Sequence, residues 1–354
     1  MRTLLHLIAL SWLGLPALAQ RDLSEDLAEL LTAKQALDQI PGISCAAFVG
    51  DEMVFARGFG FSDVENQVAA TERTVYRLAS ISKPIAAVLA MQLVEQGDLD
   101  LDGDVADLVA EWPRKRWPVT TRQLLGHLGG VRHYQGEAES ARRYRDQRAA
   151  LHRFAADPLL HEPGTRYRYS TYGFNLVAAV VEVRRGRSFP EVLAARVAGP
   201  SSASTLQDDD QRRIIAHRAQ GYVRRGGELQ NSGLMDSSYK LGGGGLCSSA
   251  PDLARFAQAL LAGKLVSKEF LEQMWTPQRT ASGAATGYGL GFSVGALDGD
   301  RLVGHSGAQS RVSTILQVLP DRGVGVVVMC NLERVKLGGL AKQLLRRLRA
   351  EVRR

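Results

Sequence analysis

Cysteine is scarce in this 354-residue sequence. Three residues, Cys45, Cys247 and Cys330, cannot make the disulfide framework of a small secreted scaffold. Cys45 and Cys330 both lie in apolar, strand-like runs. One bridge between them is open in an oxidising compartment, and buried free thiols are the reading taken. Past the N-terminal segment no run of about eighteen apolar residues occurs, so no stable membrane insertion is expected of the mature chain. Internal repeats and long biased tracts are absent. The basic residues are not interleaved with aromatic ones, which leaves no nucleic-acid pattern. Asp98-Leu99-Asp100-Leu101-Asp102-Gly103 starts like a calcium loop, but its twelfth position is Val109, where a bidentate Glu is needed. No metal and no cofactor is therefore expected.

What is present begins with residues 1–19, which read as a secretory signal peptide. Arg2 is a thin basic start, Leu4 to Leu15 is apolar but too short for a stable membrane anchor, and Ala17-Leu18-Ala19 is a small-x-small cleavage site. The mature chain should start near Gln20 and reside in the bacterial periplasm or outside the cell. The 45% hydrophobic and 23% charged content is ordinary for a globular protein. Net charge is +7, with the excess in two clusters. One holds Arg142, Arg143, Arg145 and Arg148, and the other is the tail from Arg346 to Arg354. Either could attract an anionic surface, but both are read as solvated helix faces.

Hydrophobic spacing predicts a helix over 22–38, then a strand pair over 43–50 and 53–61. A long helix is expected from about Ser80 to Gln96, stopped by Gly97. Residues 105–235 read as mainly helical, with Thr120 to Gln123 forming a capping box. Ser249 to Asp252 reads as another box, opening a helix to Leu261. Strands follow over 289–294, 301–305, 311–319 and 323–330, and an amphipathic helix with Leu337, Leu340, Leu344 and Leu348 on one stripe closes the chain. The expected fold class is α/β (α+β): an antiparallel sheet flanked by helices, formed by 20–104 and 236–354, with an all-helical domain, 105–235, inserted.

Three short elements carry chemistry. Ser80-Ile81-Ser82-Lys83 is an S-x-x-K at a helix start, and residues three apart share a helical face, so the Lys83 amine can reach the Ser80 hydroxyl. Serine is a poor nucleophile until its proton is taken, and lysine can take it only if burial or a cationic neighbour lowers its pKa. Unpaired N–H groups at the helix start suit a developing oxyanion near Ser80. Tyr169-Ser170-Thr171 offers a tyrosine able to relay the proton to a leaving group. His305-Ser306-Gly307 lies on a strand where small residues let a substrate backbone approach, and the N–H of Ala308 is a candidate second oxyanion donor.

In this order the elements resemble the S-x-x-K, Y-x-N and K/H-[ST]-G motifs of the penicillin-recognising serine enzymes. The resemblance covers nearly the whole mature chain. It is greatest for class C β-lactamases, low-molecular-weight D,D-peptidases and, above all, mitochondrial serine β-lactamase-like proteins. Besides the motifs, it is carried by Tyr76 to Lys83, Thr121 to Leu128, Val131 to Tyr134, Pro163 to Tyr172, and Ser238-Tyr239-Lys240 before a glycine run. It implies Ser80 as acylated nucleophile, Lys83 and Tyr169 as acid/base pair, the Ser80 and Ala308 N–H groups as oxyanion hole, and a site between the sheet domain and the helical domain. Two positions depart from the pattern. Thr171 replaces the usual Asn and cannot offer an amide's donor and acceptor together. His305 replaces the lysine usual in β-lactamases. With a reference pKa of about 6.5, it is expected to gain charge, and with it activity on anionic substrates, as pH falls towards 6. Both departures point to a peptide, amide or ester substrate, with a peptidase first and a β-lactamase or esterase second. A weakly catalytic scaffold or filament-forming protein of this fold is the rival class. Homo-oligomerisation is left open.

Overall fold

The first and last strands of the described chain pair in the middle of one sheet. The computed structural model describes residues 22–135 and 142–352, so the expected signal peptide and the last two arginines of the tail lie outside the described residues. The strands are β1 (Gly42–Val49), β2 (Glu52–Asp63), β3 (Val68–Ala69), β4 (Ser293–Leu297), β5 (Asp300–Gln309), β6 (Val312–Leu319) and β7 (Val324–Cys330). They run antiparallel in the order β3-β2-β1-β7-β6-β5-β4. β1 and β7 sit centrally, with Cys45 opposite Val328 and Val49 opposite Val324.

Those two strands read as continuous apolar runs because both sheet faces are covered. Successive side chains point to opposite faces. Ile43, Cys45, Ala47, Val326 and Val328 therefore join one core with Leu27, Leu31, Leu344 and Leu348. Ala46, Phe48, Val327 and Met329 join the other with Ile85, Leu253 and Phe256. The helices that matter here are α1 (Leu23–Leu37), α2 (Ser82–Glu95), α3 (Thr121–Leu125), α4 (Thr171–Arg185), α5 (Ala250–Leu261) and α6 (Gly338–Val352). α1 and α6 cover the first face, and α5 covers the second. α2 is buried from Ser82 to Leu93, packed on α4 and the short turn Leu241–Gly244. Such a helix has to be apolar nearly all round, so any polar group on it is there at a cost.

Several local expectations hold and several shift. The Thr120–Gln123 capping box closes in both directions, with the Gln123 N–H donating to Thr120 Oγ1 at 3.2 Å and the Thr120 N–H to Gln123 Oε1 at 2.9 Å. The box expected at Ser249 is only half formed. Ser249 Oγ accepts the Asp252 N–H at 3.4 Å, but the Asp252 carboxylate instead takes the Thr205 hydroxyl and N–H, at 2.6 and 2.7 Å. The strand expected from Gly289 begins at Ser293, because Gly287 and Gly291 adopt left-handed backbone (φ +68° and +86°). The helix expected from Ser80 begins as a 3₁₀ turn, Ala79–Ile81, and becomes α-helical at Ser82.

Residues 105–235 are less helical than the pattern suggests. Tyr222–Arg225 and Glu228–Asn231 form a hairpin around Gly226-Gly227, both with positive φ as a primed turn needs. Its Tyr222 N–H donates to Asn331 O at 2.8 Å, tying it to the end of β7. The three cysteines are buried free thiols. The basic clusters are met by carboxylates, Arg143 by Asp210 at 2.7 Å and Arg346 by Asp298 at 2.8 Å; Arg346 lies on a helix as expected, whereas Arg143 lies in a loop. No helix of the described residues is long and apolar enough to cross a membrane.

Candidate active site

The 3₁₀ turn holds Ser80 where the second core meets the edge of the sheet. Ala79 takes a left-handed φ of +48°, unusual for a residue with a side chain. Gly307 on β5 lies directly behind it. A Cβ at 307 would stand 2.3 Å from both Leu78 O and Thr314 Oγ1, so only glycine lets β5 and the Ser80 turn approach this closely.

Lys83, one turn on, is fully buried, with its Nζ 3.0 Å from Ser80 Oγ, 3.2 Å from Thr171 Oγ1 and 2.6 Å from Gly243 O. No carboxylate is among these neighbours. Burial first, and the Lys240 charge second, hold its pKa well below the usual lysine range. The Tyr169 ring lies 4.8 Å from the Lys83 nitrogen. Burial raises the Tyr169 pKa, although the nearby Ser80 side chain pulls it the other way. The S-x-x-K lysine and serine are thus hydrogen-bonded, with the tyrosine ring against the lysine amine. Thr171 is buried with its hydroxyl turned to Lys83, so its oxygen lines the lysine pocket.

β5 supplies the site's far wall. β4 pairs with it only from Asp300 to Gly304. Gly304 O accepts the Ser293 hydroxyl on the β4 side at 2.7 Å, whereas Gly307 O faces the Thr314 hydroxyl of β6 at 3.4 Å. Backbone groups alternate sides along a strand, so the N–H groups of Ser306 and Ala308 face the edge that β4 leaves unpaired. Both residues are exposed.

His305 differs from expectation. Its Nδ1–H donates to Ser306 O at 2.6 Å, and its Nε2 accepts the Tyr288 hydroxyl at 3.0 Å. With both nitrogens occupied and the ring 6% exposed, burial pushes its pKa down to about 3, with the Lys83 charge a lesser cause. It therefore stays neutral at the pH where it was expected to gain charge. The residue that fixes this state, Tyr288, carries no motif. The alternation Gly287-Tyr288-Gly289-Leu290-Gly291 is its only trace in the sequence: a Cβ at Gly289 would stand 2.0 Å from Met274 O, so the glycines let the tyrosine strap lie against the body.

Two further groups sit nearby without an assigned role. Lys240 is buried, its Nζ 3.7 Å from Met235 Sδ and near the Tyr134 and Tyr239 rings. Burial, then the Arg77 and Arg153 charges, lower its pKa to about 7. His127 is enclosed by Tyr169, Tyr288 and Phe174, with ring centres 4.3, 4.6 and 5.2 Å away. No cluster of three or more metal-ligating side chains occurs among the described residues.

Chemistry in which a buried amine faces an alcohol across one helical turn is that of a serine hydrolase. The beta-lactamase family model matches residues 27–349, and the chain belongs to that family. Its sheet and helices form the β-lactamase and penicillin-binding-protein fold. The human mitochondrial serine beta-lactamase-like protein LACTB is 27% identical, over 86% of this chain and 76% of its own length. A D-aminopeptidase of Brucella ovis is 26% identical over 83% of the chain, which spans 57% of that relative. The octameric penicillin-binding protein homologue from Pyrococcus abyssi superposes with a TM-score of 0.80 at 27% identity, over 92% of this chain and 77% of that one.

Proposed function

We propose that this hydrolase is exported and cleaves a peptide, amide or ester bond through an acyl-enzyme on Ser80, with uncharged groups flanking the scissile bond. The observation that carries the reading is the Lys83 contact set. A neutral amine has two hydrogens and one lone pair. Gly243 O can only accept, Thr171 Oγ1 accepts the second hydrogen, and the lone pair is left for the Ser80 hydroxyl proton 3.0 Å away. Tyr169, with its raised pKa, is a phenol at neutral pH and serves as acid.

As Ser80 Oγ bonds to the substrate carbonyl carbon, its proton passes to Lys83. The oxyanion is met by the N–H groups of Ser80 and Ala308. Tyr169 protonates the leaving group as the acyl bond breaks and regains a proton from Lys83. Water, activated by the same pair, then releases the acid and restores Ser80. The groove would lie between the sheet domain, 20–104 and 236–354, and the inserted region, 105–235, with the edge of β5 aligning the substrate. His305, neutral and bonded on both sides, supplies no cation for a substrate carboxylate. That absence, together with Thr171, favours an amidase, peptidase or esterase over a β-lactamase, and the D-aminopeptidase likeness agrees. Export rests on residues 1–19, and a mature start near Gln20 by intact mass would support it.

The test compares kcat/KM for an N-acetyl-D-aminoacyl amide, a short ester, a carboxylate-bearing analogue of the same amide, and nitrocefin. The neutral substrates should lead. The ratio of carboxylate to neutral amide should stay flat from pH 8.5 to 5.5, because His305 does not titrate there. Nitrocefin turning over fastest, or a ratio climbing towards pH 6, would contradict the reading.

A further inference from the structure

We propose that His127 and His133 are positioning residues that clamp the backbone on either side of Tyr169 and so hold its phenol against the Lys83 amine; this rests on Tyr169 being the acid/base partner. The chain on both sides of Tyr169 is bound to one short loop. The Arg168 N–H donates to His127 O at 2.8 Å. The Ser170 N–H donates to His127 Nδ1 at 3.1 Å, and the Thr171 N–H to His133 Nδ1 at 3.0 Å. Ser170 Oγ donates to Arg132 O at 2.8 Å. His127 thus grips the peptides before and after Tyr169, with its main chain on one side and its side chain on the other.

These bonds fix the state of both rings. An Nδ1 that accepts an N–H carries a lone pair, so each imidazole is neutral or at least unprotonated at that atom. Burial, the largest cause, keeps His127 from protonating. His127 also bears two costs. Its backbone is left-handed (φ +59°), and its Nε2 is buried with no partner among the described residues. An apolar side chain would avoid the second cost. Strain and an unpaired donor kept at one residue beside the reacting groups fit a role that needs this ring. The His127 ring also packs against Tyr169, centre to centre 4.3 Å with the planes tilted by 41°, so it bears on both the height and the tilt of the phenol. These histidines belong to no catalytic motif of the sequence. Nothing but the distances 168–127, 170–127 and 171–133 brings them to the tyrosine.

Asparagine places its amide oxygen close to where histidine places Nδ1 and tolerates left-handed backbone, whereas glutamine reaches the Nε2 position. We therefore expect His127→Gln and His133→Gln to lower kcat for an alkyl amide, whose poor leaving group needs the acid, about 100-fold with KM within about twofold, since a misplaced acid of this kind costs about two decades. His127→Asn should keep at least about ten times the kcat of His127→Gln. In a Tyr169→Phe background His127→Gln should cost less than about threefold more, because the clamp acts only through the phenol. A crippled Tyr169→Phe enzyme beside undiminished Gln variants, equal losses for Asn and Gln, or losses that multiply in the Phe background would overturn the clamp. Tyr169→Phe as active as wild type would overturn the acid/base reading, and the clamp with it.

Discussion

Ser80 and Lys83 share a hydrogen bond and the Tyr169 ring lies 4.8 Å from the Lys83 nitrogen, so the protonation state of each bears on the others. Lys83 can be a base because it is buried without an acid partner, and Tyr169 can be an acid because burial raises it. Groups that act as a unit do not lose activity additively. Lys83→Ala should lower kcat by roughly three or more orders of magnitude, and adding Tyr169→Phe should cost under about tenfold further. Steady-state kinetics of the two single variants and the double variant decide it; losses that multiply would make Tyr169 structural. At this scale the sequence was most legible where the chemistry is local. Residues 80 and 83 face each other by helical period alone. The tautomer of His305 was not legible, because it depends on Tyr288, seventeen residues away and brought in by a glycine-bounded strap.

At the scale of elements, the proposed catalysis depends on how closely β5 approaches the Ser80 turn. The open edge from Ser306 to Ala308 exists because β4 stops at Gly304. Gly307 has no room for a Cβ, with Leu78 O and Thr314 Oγ1 at 2.3 Å and neither a flexible chain end. Gly307→Ala should therefore push β5 from the turn and part the two proposed oxyanion donors. We expect kcat to fall about 100-fold or more while the protein still folds, as when one such donor is removed. Near wild-type kcat with a normal circular dichroism spectrum would mean that β5 yields freely. The central strands were legible because both faces are buried and their apolar runs are unbroken. The strand near Gly289 was misplaced, since positive φ at Gly287 and Gly291 is invisible to a hydrophobic pattern. So was the second capping box, whose Asp252 is claimed by Thr205 from 47 residues upstream.

Across the whole molecule, two cores sandwich the sheet, and one of them contains the buried amines of Lys83 and Lys240. Lys240 has a folded-state pKa of about 7 against an ordinary 10.5. Between those values the unfolded chain binds a proton that the folded chain refuses. Stability associated with this residue is therefore fullest above pH 10.5, falls as pH drops through that interval, and levels off below about 7. Lys240→Met should stabilise the protein at pH 7 by on the order of 1 kcal/mol or more, and by less at pH 10, in chemical denaturation. Equal effects at both pH values would show that Lys240 is not held neutral. The overall architecture was legible because apolar period and turn residues specify it. The hairpin at Tyr222–Asn231 was absorbed into a helical region, although its Gly226-Gly227 turn was there to read.

The account stands or falls on Ser80 as a primed nucleophile, and covalent trapping tests that most directly. The protein is incubated with a fluorophosphonate and analysed by intact mass and peptide mapping, alongside Ser80→Ala and Lys83→Ala. The account predicts one adduct per chain on the peptide containing Ser80, much slower labelling of Lys83→Ala, and none of Ser80→Ala. An adduct that survives in Ser80→Ala, or a wild-type protein that takes none, would contradict it.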